Sequence, residues 1–278
     1  MRVHHISCGT MCPLGGRLIS GHGSLFGAAK MVCHCLLVET PGGLLLVDSG
    51  LGMADVADPR GRLGADFIRM VRPLFAESET ALRQVEALGF SRRDVRHILL
   101  THLDLDHAGG ISDFPEATVH VLADEHAAAT GAPRHFSEKR RYRRAQWAHG
   151  PHWSLLKPGG EPFFGFDCVR DVPGLPPEVL LVPLAGHTRG HTGVAVESPG
   201  GWLLHCGDAY FHHGEVDPEK PYCPAGLAFF QRVMAVDDVA RRRNRARLRE
   251  LQRDRGAKIR LFSAHDPVEL ERLQAEHG

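Results

Sequence analysis

Four potential metal ligands lie within six positions of one short segment. Residues 101–110 read THLDLDHAGG, and in this run His102, Asp104, Asp106 and His107 bring two imidazoles and two carboxylates together. An exposed capping turn is the alternative, but this combination of side chains favours a cation, because imidazoles and carboxylates are the groups that bind zinc and related divalent metals. The segment therefore predicts a metal site.

Three further side chains of the same types each follow an apolar run. His187, Asp208 and His265 come directly after short runs of apolar residues, and runs of this length are typical of buried strands. The chain has 19 histidines, so a lone histidine carries little weight by itself. The shared position at strand ends is what makes these three residues candidates.

The elements that must position these residues form an α/β pattern. Apolar runs predict strands at 34–39, 44–47, 97–100, 118–122, 178–184, 192–197, 202–206 and 259–263. Helical spacing predicts helices at 64–76, 79–88, 124–130 and 236–255. Two strand-rich halves with helices outside them suit a four-layer sandwich of mixed sheets, with the site at their shared edge.

The bulk composition is that of a globular enzyme domain. The chain has 278 residues, of which 43% are hydrophobic and 24% charged, and layered α/β enzymes of this length often fold as one unit. We therefore predict a single domain over residues 1–278. Its 33 basic and 33 acidic residues cancel, so no overall field would hold nucleic acid or an anionic membrane. The expected partner is a small-molecule substrate, and a homodimer is a candidate assembly.

Signal-peptide and cysteine patterns predict the compartment. The first residues, MRVHHI, lack an apolar signal core, and no run approaches the ~20 apolar residues that span a bilayer. The seven cysteines form no repeating pattern, and a chain of this size needs no disulfide staples. We predict a cytoplasmic protein with reduced thiols. The triplet Cys33-His34-Cys35 could clip a metal, but its alternation inside an apolar run favours a buried strand.

The segment 133–172 differs in character from its surroundings. It combines a basic run at 139–144 with Trp147, Trp153 and several prolines and glycines. We predict an insertion here. The basic run is interpreted as a solvated helix face rather than a phosphate-binding patch, because nothing else in the charge balance supports the patch. The aromatic side chains of the insertion are candidates to cover the site.

In their order and rough spacing, the ligand segments resemble the signature of the metallo-beta-lactamase superfamily over most of the chain. The resemblance implies the four-layer αβ/βα sandwich of that family, with helices outside. By this resemblance, His102 and His187 would bind the first metal, Asp106, His107 and His265 the second, and Asp208 would bridge both. It also makes Asp48 the acidic residue that orients a ligand imidazole, and His191 a packing or supporting residue.

One position departs from the family pattern. The family places a histidine two residues after the first ligand, where this chain has Asp104. A carboxylate adds a negative charge and a harder oxygen ligand, which can hold zinc and also suits manganese or iron. We expect two divalent metal ions, with zinc as the first choice, and a first site that Asp104 alters or weakens.

Within the superfamily, the chain resembles the lactonase branch in its length, its opening HISCGT stretch and its aromatic insertion. This resemblance implies hydrolysis of a lactone or another carboxylic ester, with acyl-homoserine lactones as one such class. Trp147, Trp153, Phe163, Phe164 and Phe166 would then hold an acyl chain, unless they are ordinary core.

Tyr210 lies near the position of a tyrosine that acts in the lactonases. It is therefore a candidate hydrogen-bond donor to the developing oxyanion or the leaving group. A phenol packed in the protein is the alternative.

A metal pair at these residues would perform hydrolysis. Two cations that share a water lower its pKa from about 15.7 toward ~7 and so provide hydroxide at neutral pH, while one of them polarises the oxygen of the substrate. Asp106 could bind metal and also orient the proton of the nucleophile.

Other functions stay open at this point. Thioester hydrolysis of the glyoxalase II type and phosphotriester hydrolysis use a similar metal pair. A secreted beta-lactamase would begin with a signal peptide, and a nuclease would show a basic surface, so both are disfavoured. From other classes, Asp104 could mark a non-catalytic metal-binding sensor or an iron-dependent redox enzyme. The otherwise complete ligand set argues against the sensor, and the lack of a cysteine-pair motif argues against the redox enzyme.

Overall fold

The protein is built from two mixed β-sheets that pack face to face. The structure is a computed structural model and describes residues 1–169 and 171–277. The strands are β1 (Arg2–Met11), β2 (Met31–Thr40), β3 (Gly43–Val47), β4 (Val95–Leu99), β5 (Thr118–Leu122), β6 (His152–Leu156), β7 (Val179–Pro183), β8 (Thr192–Ser198), β9 (Gly201–His205) and β10 (Ile259–Phe262).

The first six strands form one sheet and the last four the other. The order in the first sheet is β1-β2-β3-β4-β5-β6, antiparallel from β1 to β3 and parallel from β3 to β6. The order in the second sheet is β10-β9-β8-β7, in which only the β10–β9 pair is parallel. Mixed sheets of this kind confirm the predicted fold class.

Helices cover the outer faces of both sheets. They are α1 (Gly16–Ser20), α2 (Met53–Ala57), α3 (Pro59–Arg62), α4 (Ala65–Val71), α5 (Ala81–Ala87), α6 (Leu105–Ala108), α7 (Ala123–Thr130), α8 (Glu138–Arg141), α9 (Ala225–Met234), α10 (Asp238–Arg255) and α11 (Pro267–His277). Short 3₁₀ turns lie at Glu77–Glu79, Arg92–Asp94, Gly109–Asp113, Arg144–Trp147 and His213–Val216.

The interface between the sheets is the central core. Alternate side chains of a strand point to opposite faces, so Leu36 and Val38 of β2 enter this interface while Cys35 and Leu37 pack against the helices outside. The second sheet contributes Val179, Leu181, Val194, Val196, Leu203 and Phe262 to the same interface. Full burial of each such side chain contributes about 1.5–3 kcal/mol. The sheets are thereby fixed in register, and so are the loops at their shared edge.

All eight apolar runs form strands, and α5, α7 and α10 match predicted helices. Thr80 is the N-cap of α5 and accepts a hydrogen bond from the backbone amide of Arg83. The predicted helix at 64–76 was too long: α4 ends at Val71, because Arg72 takes a left-handed conformation with φ of 52°.

Two strands were missed. The first is β1, whose apolar alternation is interrupted by polar residues, among them the buried His5. The second is β6, which pairs in parallel with β5 at the edge of the first sheet. Residues 152–156, which lie inside the predicted insertion at 133–172, thus belong to the first sheet. Arg170, within that segment, lies outside the described residues.

All seven cysteines are free, and Cys33, His34 and Cys35 are buried in β2, as expected for a strand rather than a metal clip. Over residues 1–169 and 171–277, none of the helices combines the length and the apolar character needed to cross a bilayer.

Candidate metal centre

The first ligand segment turns from the end of β4 into α6. His102 follows the strand, Asp104 occupies the N-cap position with extended backbone, and Asp106 and His107 lie within the helix. All four side chains are buried. A strand that ends in a short helix thus brings closely spaced side chains to one place, as the sequence predicted.

One cluster combines ligand-type atoms from both sheets. Single atoms of His102, Asp104, His187 and Asp208 all lie within 4.8 Å of one another. His187 Nε2 is 3.0 Å from Asp104 Oδ2 and 3.3 Å from Asp208 Oδ2, and His102 Nε2 is 3.5 Å and 3.6 Å from the same two oxygens. We call these four residues the first cluster. Asp104 occupies the place in it that the family pattern gives to a histidine.

The second cluster adjoins the first through Asp208. Asp106, His107 and His265 offer ligand-type atoms within 4.8 Å of one another. Asp208 Oδ1 lies 3.1 Å from His265 Nε2 and 3.3 Å from His107 Nε2, so this carboxylate presents one oxygen to each cluster. We call Asp106, His107 and His265 the second cluster. The arrangement is the one expected for a bridging carboxylate.

Hydrogen bonds fix the orientation of three imidazoles. Nδ1 of His107 donates to Asp48 Oδ2 at 2.8 Å, and Nδ1 of His265 donates to the carbonyl of Val32 at 2.8 Å. Nδ1 of His102 lies 2.9 Å from the Thr101 hydroxyl, which already donates its own proton to Asp48 and can only accept here. With the proton on Nδ1, each ring presents a lone pair at Nε2 to the clusters.

This pattern fits a bound cation. Lone pairs of imidazole nitrogen face carboxylate oxygens at little more than 3 Å, and two electron-rich atoms at such a distance repel unless a positive charge lies between them. Within the described part of the chain, His102 Nε2 and Asp208 Oδ1 are buried and have no hydrogen-bond partner. Imidazoles with outer hydrogen bonds and ionised carboxylates are the donors that zinc prefers.

Electrostatics lead to the same conclusion. Burial opposes the charge of Asp208, yet the surrounding imidazoles, His265 first among them, hold its pKa well below the ordinary value. Burial also disfavours a charged His107, but Asp208 and Asp48 outweigh it and raise the pKa of this imidazole, so that a proton takes the place between Nε2 and Asp208 when no cation does. The clusters therefore form a negative site that attracts positive charge.

Asp48 supports the ligands from the end of β3. Besides His107, its carboxylate accepts hydrogen bonds from the backbone and hydroxyl of Thr101, each at 2.7 Å. Burial opposes its ionisation, but His107 lowers the pKa of Asp48 to about 2. Its φ of 54° is left-handed, a conformation that costs a non-glycine residue of the order of 1 kcal/mol and tends to occur at functional sites. The predicted role of Asp48 in orienting a ligand matches this geometry.

His191 holds the backbone of the bridging residue. Its Nε2 accepts a hydrogen bond from the amide of Asp208 at 2.8 Å, and its Nδ1 donates to the carbonyl of Leu184 at 3.1 Å. Both nitrogens are therefore engaged, which agrees with the expected supporting role. Gly207 is required beside it, because a Cβ there would lie 2.6 Å from His191 Nε2 and φ is 53°.

Glu125, in the first turn of α7, ties two ligand loops together. Its carboxylate accepts hydrogen bonds from the Leu103 amide at 3.0 Å, the Tyr142 hydroxyl at 3.0 Å, the Thr188 hydroxyl at 2.6 Å and the Gly190 amide at 3.1 Å. The sequence analysis missed this residue. An acidic residue early in a helix normally indicates only a favourable helix dipole, so nothing local marked it.

Arg141 is the second residue that the sequence analysis missed. Most of the basic run is exposed, as predicted, but Arg141 is buried and its Nη1 lies 2.8 Å from Asp104 Oδ2 and 3.0 Å from His187 Nε2. The interpretation of the whole run as a solvated face was therefore wrong. Periodicity could not separate Arg141 from its neighbours, because the carboxylate that pairs with it lies far away in the sequence.

Other predicted features contact different parts of the protein. The Tyr210 hydroxyl donates to Glu269 Oε1 at 3.0 Å and the side chain is fully buried, which corresponds to the packed phenol rather than a donor to substrate. Gly109 and Gly110 face the turn at 49–52, where a Cβ on either would clash. They allow close packing of the backbone against this turn.

The aromatic residues of 133–172 belong largely to the core. Phe163 and Phe166 are buried with Phe164 and Trp202 against the outer side of the second sheet, and Trp147 and Trp153 pack against the helices over the first sheet. The predicted acyl-chain cover is thus not formed by these side chains. An apolar wall comes instead from Phe211, whose ring stacks on His265 with centroids 4.9 Å apart.

Comparison with known proteins agrees with the fold. Residues 29–265 match the family model described as the metallo-beta-lactamase superfamily. A probable metallo-hydrolase of Mycobacterium bovis is 45% identical over 267 residues, which are 96% of this chain and 81% of that protein. The N-acyl homoserine lactonase AttM of Azorhizobium caulinodans is 29% identical over 232 residues, 83% of this chain and 80% of that one.

A solved structure shows the same fold. It is an N-acyl homoserine lactone hydrolase with the product N-hexanoyl-L-homoserine bound at its catalytic metal centre, and it superimposes with a TM-score of 0.72 at 20% identity, over 98% of this chain and 95% of that one. The family match covers most of the chain, including every residue of both clusters. The chain therefore belongs to the metallo-beta-lactamase superfamily.

Proposed function

We propose that the protein is a metal-dependent hydrolase that opens a carboxylic ester, most specifically a lactone, with a pair of divalent cations held by the two clusters. The observation that carries this proposal is the convergence of buried imidazole lone pairs and carboxylate oxygens around Asp208. Zinc is the proposed metal, with manganese or iron favoured more than usual by the oxygen of Asp104.

The residues would divide the work as follows. His102, Asp104 and His187 would hold one cation, Asp106, His107 and His265 the other, and Asp208 both. When bound, such a pair supplies Lewis acidity and a water acidified to a pKa of ~7. Asp106 can accept a proton of that water at a carboxylate oxygen. Phe211 presents an apolar face beside both His187 and His265, which excludes water and suits the hydrocarbon part of a substrate.

Lactone is preferred over the other esters because named lactonases are among the relatives that match most of this chain. Thioesters and phosphotriesters are the alternatives within the same chemistry. The metal-binding sensor is disfavoured, since clusters that had lost their catalytic role would not need all three carboxylates and all four imidazoles to remain buried and aligned.

The test is turnover together with metal content. The purified protein, loaded with zinc or manganese, is assayed against a panel of N-acyl homoserine lactones, simple lactones, thioesters and phosphotriesters, and its metal is measured by elemental analysis. We expect about two ions per chain and the highest kcat/KM on a lactone.

Two ligand variants and two surface variants complete the experiment. His107→Ala and Asp208→Asn should lose metal and activity while the circular dichroism spectrum is kept, whereas the exposed His149→Ala and Asp254→Asn should keep both. Full activity in either purified ligand variant would refute the ligand assignment. Bound metal without turnover of any substrate would favour the sensor instead.

A further inference from the structure

The guanidinium of Arg141 lies at the edge of the first cluster. Nη1 donates to both oxygens of Asp104, at 3.0 Å and 2.8 Å, and Nη2 donates to the carbonyl of Met234. The side chain is 1% exposed. A buried, fully charged guanidinium held by a carboxylate and a helix end is fixed in place, so it is a permanent neighbour of any ion in this cluster.

His187 shows where this neighbour conflicts with a metal. Its Nε2 lies 3.0 Å from Arg141 Nη1 and is the atom that faces the other members of the first cluster. Guanidinium can only donate, so whenever Nε2 of His187 is unprotonated, as metal binding requires, its single lone pair accepts from Arg141. That lone pair cannot bind a cation at the same time. Filling the first cluster therefore requires Arg141 to release His187.

The second cluster carries no such restriction. Among the described residues, Asp106 and Asp208 make close ionic contacts only with histidines, and His107 and His265 have their Nε2 atoms directed at Asp208 without a guanidinium nearby. The positive charge of Arg141 is thus placed on one side of the centre, next to the additional carboxylate of Asp104.

We infer that Arg141 makes the two clusters unequal: the second cluster binds its ion first and tightly, and the first cluster binds its ion weakly because the guanidinium competes for His187 and repels the cation. Asp104 and Arg141 together set the affinity of the first cluster for its ion. The carboxylate attracts the ion, and the guanidinium offsets that attraction. The inference rests on the proposed metal pair and adds an order of filling and the residue that controls it.

The test is a metal titration of the intact protein, with binding and not turnover as the readout. The metal-free protein is titrated with Zn²⁺ and with Co²⁺, by calorimetry and by the visible spectrum of cobalt, in the wild type and in Arg141→Gln. We expect two separate phases in the wild type. The first equivalent of metal should fill the second cluster, and the second equivalent should fill the first cluster. In R141Q the Kd of the second equivalent should fall at least tenfold, while the Kd of the first equivalent should stay within about threefold of the wild-type value.

Two control variants separate charge from structure. Arg141→Lys keeps the positive charge, so its second equivalent of metal should still bind weakly. Arg140→Gln removes an exposed charge from the same helix and should bind both equivalents as the wild type does. If R141Q does not fold, the wild type and R141K still test the order of filling.

Two outcomes overturn the inference in distinguishable ways. Two ions that bind the wild type with equal affinity, or an R141Q variant with an unchanged or weaker second equivalent, contradict the control by Arg141 and leave the proposed hydrolase standing. A wild type that binds no ion at all contradicts both proposals.

Discussion

Replacing Glu125 by glutamine should loosen two ligand loops at once. The carboxylate accepts four hydrogen bonds, two on each oxygen. A glutamine amide offers only one oxygen, so two of the four donors lose their acceptor and face an NH₂ group instead. A buried donor without a partner costs about 1–3 kcal/mol, so the expected loss for two donors is about 2–6 kcal/mol.

The loss is measurable in two ways. Urea unfolding of Glu125→Gln, with a chelator present, gives the free energy of unfolding without metal, and a loss of about 3 kcal/mol corresponds to a Tm roughly 6–12 °C lower. Zinc affinity should fall as well, because Leu103 adjoins two members of the first cluster and Thr188 adjoins a third. The test thus covers both stability and the site.

Asp124→Asn is the matched control for this prediction. It removes the same charge from the same helix turn, but its side chain is exposed and its removal should change the unfolding free energy by less than about 0.5 kcal/mol. An E125Q protein that unfolds within 1 kcal/mol of the wild type, with the same zinc affinity, would refute the reasoning that one carboxylate positions both loops.

Two other predictions concern single carboxylates. Asp48→Asn should weaken zinc binding by about 10–100-fold, because an amide cannot accept from Thr101 and His107 as a carboxylate does; equilibrium dialysis that finds the wild-type Kd would contradict this. Burial and the charge of Asp266 raise the pKa of Glu269 to about 8. The folded state therefore keeps this proton up to about pH 8, whereas the unfolded chain releases it near pH ~4.5. The contribution of Glu269 to the free energy of unfolding is complete below pH ~4.5, and it is lost as the pH rises through about 8. Glu269→Gln should flatten this decline in urea unfolding between pH 5 and 8, and an unchanged slope would show that Glu269 does not cause it.

The ligand residues could be predicted because their signals are local. Each lies at the end of an apolar run or in the turn that follows it, and a one-dimensional pattern locates a strand end well. The family pattern then supplied what spacing alone does not, namely which side chains from distant segments share a cluster. The same reasoning found Asp48, because it also ends a strand.

Glu125 and Arg141 could not be found in this way, because their roles come from partners far apart in the chain. Arg141 stands in a basic run most of whose other members are exposed, and it is buried because it pairs with Asp104, which is distant in the sequence. Tyr210 shows the converse. Its resemblance in position to a tyrosine of the lactonases suggested a catalytic role, but its hydroxyl donates to Glu269.

The origin of the ligands in both sheets has a consequence for the lifetime of the native state. The segment after β4 belongs to the first sheet, whereas His187, Asp208 and His265 follow strands of the second. A cation held between them would act as a cross-link, and the sheets could not separate before it dissociates. At a free metal concentration of 100 times Kd such binding adds about 2.7 kcal/mol to the native state. Where this contact forms after the folding transition state, the added energy appears as slower unfolding, so the loaded protein would resist proteolysis for longer than the chelated one.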